Sequence, residues 1–576
     1  MTIEPPFESA NRTGDDLEHG VDSKLASSNL NSIPPLIQVL TEVKRKSSID
    51  EKAYSTADVA NASSTAYGHV ERDLKARHVT FIALGGNLGV GLFLGIGRAL
   101  RSSGPISLFL GYAIASTVGF LMMMSLGEMA AWLPVPGAIP QFCARYVDDA
   151  LGFAVGWNTW FTAVITLCAE ISAVCSIIQF WSGAENVSVA VWIVICIVVL
   201  LALNILAVSV YGEAEFVCAI IKLCGIIGLL LTALCIDLGG VPGQPRLGFH
   251  YWKTDGMKEY IASGAEGRFL GFFYTLVNAS FSLGGIETVV VAAGEAENPR
   301  RNIPRAIKRV FWRLLFFFAI ASLALGLICP SDHPKLLGGS SDSNAESPWV
   351  IAVKLAGIKA LPSIINALVL VAGISAGNSY VFMGTRYLYA LAQNGQAPRL
   401  FLRCTGKGIP IWALLVTMSI SLLTFMSMGS SSSVVFQWFQ NLTTVSTLYT
   451  WISICVAYLR FHSALKAQNI DRASLPFSFP LQPYSTYGIL AYLCTVVFFN
   501  GFDYIAGGWS TPGFITSYIG FPLFFSFFLF WKIVKRTRWI PSVEADLLTG
   551  KAELDAIEWP QKHPRNFVEK LWLKFI

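Results

Sequence analysis

Charge is scarce in this chain. Only 14% of its 576 residues are Asp, Glu, Lys or Arg, against 53% hydrophobic residues. A soluble protein carries about 25% charged residues, so the shortage excludes a string of soluble domains and points to a polytopic membrane protein. Cysteine pairs at short spacing are missing too. The eleven cysteines lie scattered, mostly in apolar runs (Cys196, Cys218, Cys224, Cys235), which excludes a zinc framework or disulfide scaffold and leaves small packing residues. No stretch pairs a nucleophile with a base, clusters metal ligands or cradles phosphates after a strand. No enzyme, cofactor, metal, nucleic-acid partner or ATP-driven machinery is therefore expected, and any work must draw on an ion gradient or exchange. Residues 1–78 are polar, rich in Ser, Asn and Asp, and lack an early apolar core. They are expected to form a disordered cytoplasmic tail with no cleavable signal.

What is present begins near residue 79. Apolar stretches recur near 79–100, 105–126, 152–181, 189–209, 215–237, 269–293, 308–329, 361–391, 410–428, 434–459, 485–503 and 512–534. A stretch of about 20 apolar residues crosses the hydrocarbon core. The expectation is an all-α membrane protein with about twelve transmembrane helices in one domain, 79–534, followed by a cytoplasmic tail, 535–576. The segments 71–77, 298–309, 398–407, 460–472 and 531–538 are basic. Twelve spans put all of them on one side, which the positive-inside rule makes the cytoplasm. The 246–268 loop opposite still carries Arg246, Lys253 and Lys258. The sequon at Asn186 falls outside, close to the bilayer, while those at Asn11 and Asn61 face the cytoplasm.

One span is built to hold its helix poorly. "IALGGNLGVGLFLG" (82–95) contains Gly85, Gly86, Gly89, Gly91 and Gly95 with Asn87 among them, and each interior glycine costs about 0.8–1 kcal/mol relative to alanine. The sixth span repeats the oddity: "VNASFSLGGIETVV" (277–290) sets Gly284 and Gly285 beside Ser282 and Glu287. Such glycines either allow close helix packing or interrupt the helix, and paired interruptions in two halves of a chain point to a transporter site. An unwound backbone is tolerated in a membrane only where ligand or water meets its bare groups. A half-helix N-terminus suits a carboxylate and a half-helix C-terminus an ammonium. An amino acid carries both. The same glycine run lies inside a span and follows no strand, so it is no dinucleotide fingerprint.

Ordered motifs then make the chain resemble the fungal amino acid permeases of the amino acid-polyamine-organocation superfamily. They are "LKARHVTFIALGGNLGVGLFLGIG" (74–97), "LGEMAAWLPVPGAIPQFCARYVDDALGFAVGWN" (126–158), "VYGEAEF" (210–216), "AGEAENPRRNIPRAI" (293–307), "INALVLVAGISAGNS" (365–379), "RYLYALAQNGQAP" (386–398) and "ADLLTGKAE" (545–553). The resemblance implies two inverted five-helix repeats (5+5) plus two peripheral helices, and secondary transport of an amino acid with protons. It further implies that Gly89, Val90 and Gly91 surround the substrate carboxylate, with N–H groups from Val90 and Gly91. The Asn87 carbonyl, Phe281, Ser282 and Gly284 would hold the amine, the Phe281 ring serving as outer gate. Val90 departs from the Ser or Thr usual between the two glycines. It keeps the backbone donor and removes a hydroxyl, which leaves open weaker binding or an amine or amide substrate.

Three ionisable residues inside spans complete the candidate site. Lys222 lies seven residues beyond Glu215, about 10 Å deeper along a helix. The resemblance places it where sodium-coupled relatives hold their ion; the alternative is a lysine snorkelling to the interface. Glu287 is either a proton carrier or a structural hydrogen-bond acceptor, and none of the seven histidines lies near a span centre to take the carrier role. Glu170 either faces the substrate side chain as a specificity group or is paired within the bundle. Asn204, Ser375, Asn378 and Ser379 are expected to make interhelical hydrogen bonds. Glu128, Glu213 and Glu215 are placed at cytoplasmic ends as architecture or gating, and Trp157, Trp160 and Trp181 as interface anchors. The expected function is proton-coupled amino acid import across the plasma membrane by alternating access, with a non-transporting amino acid sensor of the same fold as the rival. The substrate's side chain and the oligomeric state are not legible.

Overall fold

A computed structural model describes residues 89–135, 137–205, 208–288, 290, 303–305, 307, 312, 315–336, 346–406, 408–549 and 551. The tail expected over 1–78, Asn87 and the end of the chain beyond 551 lie outside the described residues. Within them the chain is helical, and the sole strand-like pairing is one bridge between Cys404 and Pro410. Among the described residues, eight helices are long and apolar enough to cross a membrane. The fourth and seventh expected spans are represented by shorter apolar helices, 189–205 and 316–328.

The first described element is a π-turn, Gly91–Gly95, running into α1 (Ile96–Trp132). Gly104 splits α1 into the end of one expected span and the whole of the next, because it adopts φ +78° and is followed by Pro105. A side chain there would be strained by that backbone, and its Cβ would sit 2.4 Å from the Asp255 carbonyl. The loop closes over this corner with Ile106 N–H donating to Gly256 O and Lys258 N–H to Ser103 O.

There follow α2 (Ala138–Tyr146), α3 (Asp149–Ile178), α4 (Val189–Ile205), α5 (Val208–Asp237), α6 (His250–Asp255) and α7 (Gly264–Ser282). After a second π-turn (Leu315–Ile320) come α8 (Ala321–Ile328), α9 (Pro348–Leu355), α10 (Leu361–Gln393), α11 (Ile411–Ile420) and α12 (Ser432–Ala467). The last are α13 (Tyr484–Phe498), α14 (Asp503–Ala506), α15 (Thr511–Tyr518) and α16 (Gly520–Lys535).

Helix α3 occupies the centre, packed against α10 and α12. Its apolar window is 83% buried, whereas that of α15–α16 is 22% buried, which puts the last pair at the rim. Asp148 starts α3 by accepting the Ala150 N–H at 2.9 Å, and Ser431 starts α12 by accepting that of Val434. Rim helices turn apolar side chains outward: Val198 of α4 and Leu231 and Leu234 of α5 are all more than half exposed. In water such a belt would be a large exposed patch, and in a bilayer it is the lipid face.

Beyond α16 the chain folds back as a strap over one end of the bundle. Ile540 N–H donates to Val147 O at 2.9 Å and Trp132 Nε1 to Leu547 O at 2.9 Å, while Arg145 pairs with Asp546 at 3.3 Å.

Candidate substrate site and buried charge network

Both expected interruptions lie side by side. Helix α7 stops at Ser282 and residues 283–287 form turns, with Gly285 at φ +89°. Opposite, a Cβ on Gly91 would stand 3.1 Å from the Phe281 ring and 3.2 Å from Ser282 Cα, so glycine lets the two breaks touch. Polar side chains tie them together. Tyr112 OH lies 3.0 Å from Ser282 Oγ and donates to Asn278 Oδ1, and Asn278 Nδ2 donates to Gly95 O at 3.3 Å. Ser347 Oγ donates to Phe93 O at 2.7 Å. The π-turn carbonyls thus find partners that a regular helix would have supplied. Phe281 stacks edge-on against Phe436 at 5.9 Å, closing the site on that side.

The Val90 N–H points to Glu170, 3.4 and 3.3 Å from its two carboxylate oxygens. A carboxylate from the protein itself therefore sits at the half-helix N-terminus, where backbone donors and the helix dipole favour an anion. The Val90 side chain is fully buried and lies against Gly373 of α10, 3.1 Å from where its Cβ would be.

A cavity of about 1080 Å³, including solvent at its mouth, opens from these breaks. Gly89, Gly91, Glu170, Phe281, Ser282, Gly284 and Glu287 all line it. Val90 and Lys222 are not part of its wall. The wall's remaining faces went unread in the sequence: Thr159, Thr162 and Thr166 of α3, with Thr443, Thr447 and Thr450 of α12. Threonines spaced three and four apart on otherwise apolar helices were the available signal. Tyr380, Met383 and Tyr387 of α10 form the third face. Glu170 and Glu287 are the charged residues in the wall, and Trp451 Nε1 donates to Glu287 Oε2 at 3.0 Å.

At the C-terminal end of α10 the cavity is lined by half-buried Gly137 and Pro140 and by exposed Asn394, so it reaches the surface there. A group of polar contacts lies on the side away from Asn394. Arg98, just above the π-turn, pairs with Asp503 of α14 at 3.5 Å, donates to Tyr504 OH at 3.2 Å and lies over the Tyr274 ring. Lys222 and Glu287, both expected to serve ion coupling, belong to separate surroundings. Lys222 is fully buried with its Nζ 4.0 Å from Glu215 Oε1. Glu215, expected at a helix end, is itself buried and accepts from Ser375 Oγ at 2.7 Å. Glu128 is held by Arg472 and by Tyr458 OH, each at 2.6 Å, as an architectural tie between α1, α12 and the loop after it.

Apolar helices, a lipid-facing belt and an internal chamber define an integral, multi-pass membrane protein. A family model described as Amino acid permease matches residues 78–544, and the chain belongs to that family. It is 39% identical over 512 residues to a proline-specific permease of Emericella nidulans, covering 87% of this chain and 92% of that one. A probable proline-specific permease of Schizosaccharomyces pombe is 42% identical over 503 residues (84% and 90% covered), and a lysine-specific permease of Saccharomyces cerevisiae 38% over 508 (88% and 82%). These relatives are permeases rather than enzymes, and they support amino acid transport.

Proposed function

We propose that this chain imports an amino acid across the plasma membrane together with protons, by alternating access around the two interrupted helices. The observation that supports the reading is a cavity lined by residues of both interruptions that reaches exposed Asn394 at one end of the bundle, as expected of a transporter facing one side. The twelve-span arrangement in two inverted five-helix repeats, with both termini cytoplasmic, fits it. The open mouth then faces the cytoplasm and the Arg98–Asp503 pair the outside.

In this arrangement the backbone at Gly89–Gly91 receives the substrate carboxylate in competition with Glu170. Ser282, Gly284 and the Asn87 carbonyl hold the amine, and the Phe281 ring blocks the outer route. Glu170 and Glu287 supply protonatable groups in the wall, and the ammonium of Lys222 stands where a cation would otherwise be needed, so sodium is not required.

The test is uptake of labelled basic, acidic, neutral and proline-like amino acids and small amines by permease-deficient fungal cells expressing the chain, at acidic pH, with and without an uncoupler. Accumulation that collapses with the uncoupler supports the reading and names the substrate class. Equilibrative uptake indifferent to the uncoupler removes the proton coupling, and binding without uptake by surface-exposed protein turns the reading to a sensor.

A further inference from the structure

All the threonines in the cavity wall but one have a hydrogen-bond partner within the bundle. On α3, Thr159 donates to Gly156 O at 2.8 Å, Thr162 to Asn158 O at 2.8 Å and Thr166 to Thr162 O at 2.7 Å. Thr288 donates to Gly285 O at 2.6 Å. On α12, Thr450 donates to Ser446 O at 3.2 Å and accepts from Asn158 Nδ2 at 3.0 Å, and Thr443 Oγ1 accepts from Thr166 at 3.4 Å. Thr447 differs. Its Oγ1 is buried and, among the described residues, has no hydrogen-bond partner. A helical threonine can bond the carbonyl one turn back, but this hydroxyl is turned toward the interruption after α7, 3.4 Å from where a Cβ on Gly284 would stand.

The neighbours of that hydroxyl decide what it can bind. The interruption follows the C-terminal end of α7 at Ser282, which is the negative pole of that helix. The Phe281 carbonyl oxygen, 3.1 Å from the same point beside Gly284, faces it together with Thr447 Oγ1. That carbonyl accepts the Gly284 N–H at 3.0 Å and keeps a second lone pair. One turn further along α12, Trp451 holds the Glu287 carboxylate at 3.0 Å. Oxygen acceptors and negative charge thus gather on this side of the cavity, whereas the Val90 N–H lies on the Glu170 side. A carboxylate would be repelled at Gly284. A positively charged N–H donor would be attracted, and it would give a buried, unpaired hydroxyl the partner that such groups ordinarily have.

We propose that Thr447 is a substrate-binding residue whose hydroxyl accepts a hydrogen bond from the substrate's α-ammonium group, completing the amine end of the site from α12. The bond is charge-assisted, and through the ligand it joins α12 to the interrupted α7. Every amino acid carries this amine, so the contact sets affinity without reading the side chain. The proposal rests on the amino acid transport reading above.

The experiment measures uptake kinetics of the full chain in permease-deficient fungal cells, trying labelled amino acids of every side-chain class on the parent and taking the best-carried one forward. Thr447→Val removes the hydroxyl and keeps the shape. At matched surface level its KM is expected to rise about ten- to a hundredfold with Vmax within about threefold of the parent, while Thr447→Ser stays within about threefold in both. Inhibition constants of the unlabelled amino acids that compete in the parent should rise by one common factor. Purified Thr447→Val should unfold, without substrate, at or above the parent's temperature, because it no longer buries an unpaired hydroxyl. A KM near the parent's overturns the proposal, as does a rise that varies with the competitor's side chain. A Thr447→Val that unfolds well below the parent also overturns it, by showing a structural hydroxyl. If Thr447→Val does not reach the surface, Thr447→Ala takes its place under the same criteria for KM and competitors. A parent chain that carries no amino acid overturns the transport reading itself, with this proposal, and is recognised before any variant is made.

Discussion

A methyl group at position 89 would meet Glu170 Oε1 at 2.2 Å and Ala376 Cβ at 3.3 Å. Gly89→Ala must therefore push the carboxylate off the Val90 N–H, at an overpacking cost of about 1–3 kcal/mol. Since about 1.4 kcal/mol is a factor of ten, uptake by cells with normal surface levels should fall by roughly ten- to a hundredfold. Gly91→Ala, whose methyl would stand 3.1 Å from the Phe281 ring, should fall less. Trp451→Phe tests a different bond. It leaves the buried Glu287 carboxylate without its 3.0 Å donor, and a buried acceptor stripped of its partner costs about 1–3 kcal/mol. Thermal unfolding of the purified variant in detergent should register that loss, while Glu287→Gln, which still accepts from Trp451, should unfold close to the parent.

The elements depend on corners as much as on spans. Gly104→Ala forces an L residue into φ +78° and drives a Cβ to 2.4 Å from Asp255 O. Strain alone is worth about 1–3 kcal/mol, so this variant should be more thermolabile than an alanine at exposed Gly228, whose Cβ would meet nothing. Ahead of α9, Glu346 accepts from Lys335 at 2.8 Å and Lys354 at 2.7 Å. Burial raises its pKa, but the two lysines outweigh burial and hold it below the ordinary carboxylate value. A depressed pKa contributes stability that is present above the unfolded value and lost as pH falls through the folded one. Glu346→Gln should thus lower the melting temperature at pH 7, and the difference from the parent should vanish in strong acid. Some of this was legible: glycines and prolines mark the corner at 104 and 105 because backbone sterics are local. The lysine clamp on Glu346 was not, since nothing in the local pattern requires it.

At the scale of the whole molecule the question is which side is shut. Arg98, Tyr274, Asp503 and Tyr504 join the first span, α7 and α14 on the side away from the mouth. Asp503→Asn removes the buried counter-charge, so the closed outer side should open more often. A cysteine introduced at Phe281 in a background lacking reactive surface thiols should then be labelled faster by an impermeant maleimide applied outside, and an unchanged rate would assign the pair to stability alone.

The sequence by itself determined the membrane class, the apolar helices and the two interruptions, because hydrophobic length and glycine placement act through the local backbone and its solvent. It also marked Glu170, Lys222 and Glu287 as costly and so worth explaining. Only the tertiary structure decided their partners. Val90 meets Glu170 across 80 positions and Glu287 meets Trp451 across 164, while Glu215 proved to be a buried partner of Lys222. The threonine faces became a cavity wall only when α3 and α12 packed together. Which oxygen faces which donor is set by the crossing of helices remote in the chain, and a buried charge is given its meaning by the neighbour that this crossing supplies.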